Sequence, residues 1–334
     1  RGKPLVVGAD PKDGKGRGVV MTCSYEARKF GLKSAMPISK AYRLCPQAVY
    51  VRPSFELYVE TSESVMELLR QFADRFQQVS IDEAFLDVTE KIKSYGSKES
   101  LAAAVKNALL EQTGLKCSIG IASNKLVAKI ASDFKKPDGL TIVEDGKEKE
   151  FLAALPVRKL IGVGEKTERV LTEQGIKTVG GLAAVPLAEL VSQFGKIGYY
   201  LHYAANGIDE EPVVEVHETK SINRNVTFEE DTNDEEMLLQ VLAEMAEDVH
   251  SALIAQGFVC KTVGVRVRFE DFETHTKEKT LSQSVRSKGI IFNSAKKLLT
   301  SFFPAKRKIR QIGIRLAHLR QLDAKQKTVS EYLG

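Results

Sequence analysis

The chain has 334 residues, 43% of them hydrophobic, and a formal net charge of +5. These values exclude a largely disordered protein and allow two or more domains with cores of their own. No apolar run approaches the about 18 to 20 residues of a membrane span and nothing resembles a signal peptide, which predicts a soluble, cytoplasmic protein with no membrane partner. Cys23, Cys45, Cys117 and Cys260 lie far apart and the five histidines do not cluster near them, so neither a zinc site nor a disulfide framework is indicated.

The chain opens Arg1-Gly2-Lys3-Pro4 without Met, which points to a missing N-terminus. Leu5 to Gly8 reads as a buried strand, followed by a loop from Ala9 to Gly18 that fails as a phosphate loop. Gly8 and Gly14-Lys15 are one residue too far apart, and Gly16 stands where a metal-binding Ser or Thr belongs. A strand from Gly18 to Met21 leads to a short helix from Tyr25, capped by Ser24 and ended by Gly31. Free N–H groups at that helix start favour an anion, and Thr22, Tyr25 and Arg28 recur at three-residue steps. The alternative is a surface helix with a solvated Arg28 and a packed Tyr25. Another short helix lies between Met36-Pro37 and Cys45-Pro46.

Phe55 to Phe72 has helical spacing of apolar residues and feeds Ser80-Ile81-Asp82-Glu83-Ala84-Phe85-Leu86-Asp87. If Val79 to Ile81 and Ala84 to Val88 pair as a hairpin, Asp82 and Glu83 share its tip and their carboxylates can converge. Hard oxygen ligands of this kind suit Mg²⁺, which takes one or two carboxylates plus phosphates and water. An acidic turn is the plainer alternative. A helix from Ser97 to Gln112 stops at Gly114. The strand Cys117 to Ala122, a helix capped by Ser123 and running to about Phe134, the turn Lys135-Lys136-Pro137-Asp138-Gly139 and the strand Leu140 to Val143 complete an alternating pattern around one sheet.

After a charged linker from Glu144 to Glu150, Gly162-Val163-Gly164-Glu165-Lys166 reads as the hairpin of a helix-hairpin-helix. Its glycines let backbone N–H groups grip a DNA phosphate without reading sequence, and a weaker copy follows near Phe194-Gly195-Lys196. A packing-only helical hairpin is the alternative. Asn206 to Thr219 is linker-like. Then come a strand (Ser221 to Phe228), an acidic helix (Asp234 to Gln256), strands Lys261 to Phe269 and Thr274 to Val285, a helix (Ser294 to Phe303) and a strand (Lys308 to Ala317). Glu229 to Asp248 holds nine acidic residues and no basic one, whereas Lys261 to Gly334 holds seventeen basic against six acidic. Val263, Val265, Val267 and Phe269 alternate with Thr262, Arg266 and Arg268, and Arg315 repeats the pattern in the last strand, so one sheet face is core and the other cationic.

This order of motifs resembles the Y-family lesion-bypass DNA polymerases, specifically the DinB or DNA polymerase IV branch. The matching stretches are Tyr25-Glu26-Ala27-Arg28, Ser80-Ile81-Asp82-Glu83, Ile130-Ala131-Ser132-Asp133 leading to Lys136-Pro137, the Gly162-Val163-Gly164 hairpin and Lys220-Ser221-Ile222. The resemblance implies an α+β multidomain chain: small fingers (1–54), palm (55–145), helix-hairpin-helix thumb (146–207), linker (208–219), βαββαβ little finger (220–320) and a tail (321–334). It implies that Asp82 and Glu83 hold two catalytic Mg²⁺ ions and that Thr22, Tyr25, Arg28 and Lys136 bind the triphosphate of an incoming deoxynucleotide. Val19, Met21 and Ala35 would lie against its base. Gly162, Gly164, Lys166, Arg266, Arg268 and Arg315 are the candidate contacts to primer-template DNA. The reaction is two-metal phosphoryl transfer in error-prone synthesis past damaged bases, by a monomer.

Family members open with a strand carrying a further metal-binding Asp and, shortly after, an aromatic that excludes ribonucleotides. Both would lie upstream of Arg1. If Arg1 is the true start, the rival reading is a non-catalytic DNA-binding module at damaged primer ends. A metal-dependent cyclase on a palm-like sheet is disfavoured by the helix-hairpin-helix and the basic last domain. Finally, Gln326, Val329, Tyr332 and Leu333 in the tail resemble the peptide recognised by sliding clamps of the archaeal and eukaryotic type.

Overall fold

The structure is a computed structural model and describes residues 2–215, 218–304 and 306–322. The chain divides into two compact units, Arg1–Val51 with Glu218–Gly334, and Arg52–His217.

The first unit begins with β1 (Leu5–Gly8), the centre of a three-stranded sheet, antiparallel to β2 (Val20–Cys23). A β-carbon on Gly8 would lie 2.5 Å from the Val19 carbonyl oxygen, so only glycine admits this approach. The β1–β2 register slips between Val7 and Gly8. Such a bulge re-aims side chains: Val20 and Cys23 stay buried while the intervening Met21 and Thr22 are both exposed. The single-turn α1 (Tyr25–Arg28), α2 (Ile38–Leu44) and β3 (Val49–Val51), parallel to β1, follow. Ala27, Leu32, Ile38, Ala41 and Cys45 close a small core over Val6 and Val20.

The second unit starts with α3 (Phe55–Arg70), the hairpin β4 (Arg75–Gln78) and β5 (Ala84–Asp87), α4 (Lys91–Tyr95) and α5 (Lys98–Thr113). Gly114, at φ 68°, ends α5 as expected, and Ser97 is its cap rather than its first residue, its hydroxyl accepting from the Ser100 N–H. Leu68 and Phe72 pack on Leu101, Val105 and Leu109. Next come β6 (Ile119–Ile121), α6 (Lys125–Phe134) and the parallel partner strand β7 (Leu140–Ile142). A β-carbon on Gly120 would meet the Ala128 carbonyl oxygen at 2.1 Å, so the glycine lets α6 lie against β6.

Two expectations are corrected here. The cap of α6 is Asn124, not Ser123: the Asn124 side chain accepts from the Val127 N–H at 3.0 Å, whereas the Ser123 hydroxyl donates to Glu148. The single sheet expected around the acidic hairpin is two ladders, β4–β5 and β6–β7. Side chains of α6 link them in place of a shared ladder, Lys125 donating to Gln77 of β4 at 3.2 Å.

The helices α7 (Glu148–Ala153), α8 (Glu165–Glu173), α9 (Val179–Ala183), α10 (Leu187–Phe194) and α11 (Lys196–Ala205) complete this unit. Leu152, Leu160, Leu171, Leu182, Leu190 and Leu201 form their core, and it is continuous with Val127, Ile130 and Ala131 on the apolar side of α6.

The chain then returns to the first unit with β8 (Ser221–Thr232), α12 (Glu235–Ala255), β9 (Phe258–Phe269), β10 (Thr274–Val285), α13 (Lys288–Thr300), β11 (Ile309–Ala317) and the short β12 (Arg320–Gln321). The order is β10-β9-β11-β8, all antiparallel, with β12 on the early part of β9. Leu238, Leu242, Met245, Val249, Leu253, Ile291 and Leu299 of the helices cover Val263, Val265, Val267, Ile312 and Ile314. Helix α13 starts at Lys288 rather than at Ser294, because Ile291 in its first turn already packs into the core. The loop after β1 docks on β8: Arg17 donates to the carbonyls of Phe228 and Glu229, both at 2.9 Å, and pairs with Asp231 at 2.6 Å.

Candidate active site and nucleic-acid interface

Asp82 and Glu83 sit in the loop between β4 and β5. The strand facing Ala84–Asp87 is Arg75–Gln78, not Val79–Ile81 as the sequence suggested. Val79 and Ile81 are 51% and 44% exposed, and the N–H groups of Val79 and Ser80 turn in to the Glu83 carbonyl at 2.9 and 3.2 Å. This closes a compact acidic tip. The Ser80 hydroxyl donates to Asp82 Oδ1 at 2.6 Å and accepts from the Asp82 N–H at 3.3 Å, which orients that carboxylate. Glu83 Oε1 accepts from the Lys129 ammonium.

Lys125, Lys129 and Asp133 recur at four-residue steps along α6, on the side opposite its apolar residues. Lys129 Nζ lies 3.7 Å from Asp133 Oδ2, and Lys136 Nζ lies 2.5 Å from Asp133 Oδ1. Glu83, Lys129, Asp133 and Lys136 therefore form one line of alternating charge, which joins the acidic tip to the turn after α6. That turn is pinned beyond Lys136. Asp138, in the left-handed region at φ 56°, receives Lys106 on Oδ1 and Lys116 on Oδ2, each at 2.8 Å, and Lys106 also donates to its carbonyl at 2.6 Å. The hydrogen bonds from the two ammonium groups hold the Asp138 carboxyl down to about 2.

Sequence reasoning assigned no role to Lys106, Lys116, Lys129 or Asp138. The lysine-lysine-aspartate stripe on α6 was the available signal. Among the described residues no group of three or more His, Cys, Asp or Glu gathers as a metal cluster. Asp82 and Glu83 nevertheless supply two hard oxygen donors at an open tip, and one of them already holds a cation. That donor set fits an ion that binds one or two carboxylates together with phosphates and water.

In the first unit, Thr22, exposed on β2, pairs with Val7, Tyr25 opens α1 at 49% exposure, and Arg28 closes it with its guanidinium carbon 5.7 Å from the Tyr25 ring centroid. The helix start itself contributes less than expected. A single turn sums few peptide dipoles, and the Ala27 N–H is already taken by Ser24. The hydroxyl, phenol and guanidinium remain as the candidate groups for an anion. Val19 and Met21 are 50% and 37% exposed. Ala35, at φ 65°, donates its N–H to the Val20 carbonyl at 2.9 Å, which sets its backbone beside the strand that carries Met21.

Gly162 has φ 87°, and a β-carbon there would meet Tyr200 Cε1 at 2.8 Å. The Tyr200 hydroxyl donates to the Ile161 carbonyl at 2.9 Å, so α11 braces the hairpin from behind. Val163 plugs the core between the two glycines. Gly164 caps α8 in extended backbone with nothing nearer its β-carbon position than Arg158 at 3.8 Å, and Lys166 is exposed in the first turn. Gly195, at φ 59°, makes a second helix-glycine-helix junction between α10 and α11. Tyr200 was missed because its partner lies 39 positions upstream.

On the face of the last sheet away from its helices, the register sets Thr276, Arg266, Gly313 and Asn225 in one row and Glu278, Gly264, Arg315 and Asn223 in the next. Gly264 and Gly313 floor a trough of about 320 Å³ walled by Arg266, Arg315, Asn223 and Asn225. Arg268 is half-buried and donates to Thr274 at 2.9 Å, and Arg315 pairs with Glu278 at 3.1 Å. Thr262, expected on this open face, is 2% exposed because Thr280 and His318 cover its hydroxyl. Gln326, Val329, Tyr332 and Leu333 lie outside the described residues.

Residues 1–133 match the impB/mucB/samB family, residues 219–329 its C-terminal domain, and residues 158–209 the thumb domain described for DNA polymerase-iota. The chain is 45% identical to DNA polymerase IV 2 of Methanosarcina mazei over 98% of its length and 89% of that protein's. It is 46% identical to DNA polymerase IV of Methanoculleus marisnigri over 100% of this chain and 92% of that one. A solved Y-family polymerase chimera of Dbh and Dpo4 superposes with a TM-score of 0.87 at 31% identity, covering 96% of this chain and 93% of that one. An insertion ternary complex of Dbh DNA polymerase gives 0.65 at 31% identity with the same coverage. The chain belongs to the Y-family DNA polymerases, metal-dependent nucleotidyltransferases, in the branch whose members carry the name DNA polymerase IV.

Proposed function

We propose that this translesion DNA polymerase extends a primer 3′ end with Asp82 and Glu83 as ligands of two Mg²⁺ ions, and with Thr22, Tyr25, Arg28 and Lys136 on the triphosphate of the incoming deoxynucleotide. The observation that carries this reading is the line Glu83–Lys129–Asp133–Lys136, which ties the carboxylate tip to the cationic turn through one helix. Bound at the tip, Mg²⁺ would lower the pKa of the primer hydroxyl and neutralise the pyrophosphate that leaves. The chain's own groups do the rest. Ser80 keeps the Asp82 carboxylate oriented, Arg28 and Lys136 place charge-assisted hydrogen bonds on phosphate oxygens, and Val19, Met21 and Ala35 bound the base.

Gly162, Gly164 and Lys166 hold a duplex phosphate by backbone N–H groups and one cation, and Arg266, Arg268 and Arg315 hold others, without reading bases. Solved relatives include an insertion ternary complex and a post-insertion binary complex of Dbh DNA polymerase, which supports DNA and nucleotide as partners. The segmentation into fingers, palm, thumb, linker, little finger and tail at 1–54, 55–145, 146–207, 208–219, 220–320 and 321–334 goes with this reading. So do a cytoplasmic monomer and a tail that tethers to a sliding clamp through Gln326, Val329, Tyr332 and Leu333, raising the effective concentration at the primer end. Among the described residues no helix is long and apolar enough to cross a membrane.

The relatives named DNA polymerase IV give no support to the non-catalytic alternative. Primer extension tests the reading. Asp82→Asn and Glu83→Gln should each abolish incorporation while primer-template affinity stays at the wild-type value. Near-normal turnover by both variants would sink the assignment.

A further inference from the structure

Lys129 stands between two carboxylates, bonded to Glu83 of the β4–β5 loop and 3.7 Å from Asp133, one helical turn further along α6. Its side chain is 25% exposed, and its backbone is fixed because Val127, Ile130 and Ala131 of the same helix are sealed in the core. Only its four-carbon stem is left to move, and that stem carries a compact, freely turning ammonium group. Asp133 in turn holds Lys136 at 2.5 Å. The cation on Glu83 is therefore already provided with a second acceptor.

We propose that Lys129 is the resident counter-cation of Glu83, that it yields this carboxylate to an entering divalent ion, and that it then moves onto Asp133, loosening Asp133's hold on Lys136. This rests on the reading of Glu83 as a metal ligand and Lys136 as a triphosphate contact. The consequence is a built-in order of events. Before metal entry Lys129 neutralises Glu83, and Asp133 keeps Lys136 engaged. After it, Asp133 shares its charge between two ammonium groups, and Lys136 exchanges more easily onto phosphate oxygens. Lys129 is a positioning residue in this scheme, setting when the site accepts metal and nucleotide rather than touching the reacting atoms.

The test is Mn²⁺ binding to the full chain followed by electron paramagnetic resonance, without DNA or nucleotide. Lys129→Met removes the competing cation and should tighten Mn²⁺ by about two- to five-fold, the equilibrium value of a partly exposed ion pair. Lys129→Gln, a second neutral variant, should behave alike, and Lys129→Arg, which keeps the charge, should stay near wild type. As a second readout, added Mn²⁺ should raise the affinity for a non-hydrolysable deoxynucleotide less in Lys129→Met than in wild type. Glu83→Gln is the control. If Glu83→Gln weakens Mn²⁺ binding while both neutral Lys129 variants leave it unchanged or weaker, the counter-cation role is overturned and the metal site stands. Tightening by Lys129→Arg equal to that by Lys129→Met would overturn it too, since charge would not be the cause. If Glu83→Gln binds Mn²⁺ as wild type does, the metal assignment itself falls, and the inference with it.

Discussion

The two glycines of the thumb hairpin should respond to the same substitution in opposite ways. Gly162 is held at φ 87° with Tyr200 packed on its α-carbon. An alanine there meets the penalty of a β-carbon in left-handed backbone, about 1–2 kcal/mol. It also drives its methyl into the Tyr200 ring, which would have to swing away from the Ile161 carbonyl. Losing that hydrogen bond costs about 0.5–1.5 kcal/mol, and Tyr200 is 41% exposed, so the lower half of the range applies. Gly162→Ala should thus destabilise the hairpin by about 1.5–3 kcal/mol in all. Gly164 is at φ −81° with open space at its β-carbon position. Gly164→Ala should cost less than about 1 kcal/mol of stability, the difference between glycine and alanine at a helix N-cap. If its N–H approaches a phosphate, however, the added methyl keeps that phosphate away, and a hydrogen bond to a charged group is worth about 1.5–3 kcal/mol of DNA affinity. Urea unfolding and fluorescence anisotropy of a labelled primer-template at one fixed salt concentration separate the two effects. A Gly162→Ala chain as stable as wild type would refute the geometric reasoning, and a Gly164→Ala chain with undiminished DNA affinity would refute the backbone grip on phosphate.

Arg28→Ala and Lys136→Ala should each lower kcat/KM for nucleotide by about 1.5–3 kcal/mol with DNA affinity unchanged, and the reverse pattern would place them in a template groove. Arg266→Ala should reduce the log-log salt slope of primer-template binding by about 0.9, the value of one phosphate contact. Arg315→Ala should change it less, because Glu278 already shares that charge at 3.1 Å, and an unchanged slope for Arg266→Ala would mean this face points elsewhere. Asp138 has a carboxyl held at about 2 against an ordinary 3.8, so its contribution to stability is complete above pH 3.8 and is lost as pH falls through about 2. The urea midpoint of wild type should therefore drop more steeply over that window than that of Asp138→Asn, and parallel curves would show that Lys106 and Lys116 do not stabilise the turn.

What the sequence by itself determined was whatever depends on neighbours a few positions away. Ser24 and Gly114 cap or end helices because the groups they satisfy lie within a single turn. Val263, Val265 and Val267 alternate with Arg266 and Arg268 because a strand turns successive side chains to opposite faces. The resemblance to the family came instead from the order of quoted stretches such as Tyr25-Glu26-Ala27-Arg28, Ser80-Ile81-Asp82-Glu83 and Lys136-Pro137. Tertiary structure alone decided which distant residues meet. Periodicity assigns a side chain to a face, but not the partner that waits there. Val79 to Ile81 looked strand-like, but the N–H groups of Val79 and Ser80 both turn in to the Glu83 carbonyl and the pairing lies at Arg75–Gln78. Lys129 is separated from Glu83 by 46 positions, Lys106 from Asp138 by 32, and Tyr200 from Ile161 by 39. Each pair forms because a helix buried on its apolar side carries its polar side to a loop closed elsewhere in the chain, and that coincidence exists only once two cores have assembled, Val127, Ile130, Leu160 and Leu201 in one and Leu101, Val105 and Leu109 in the other.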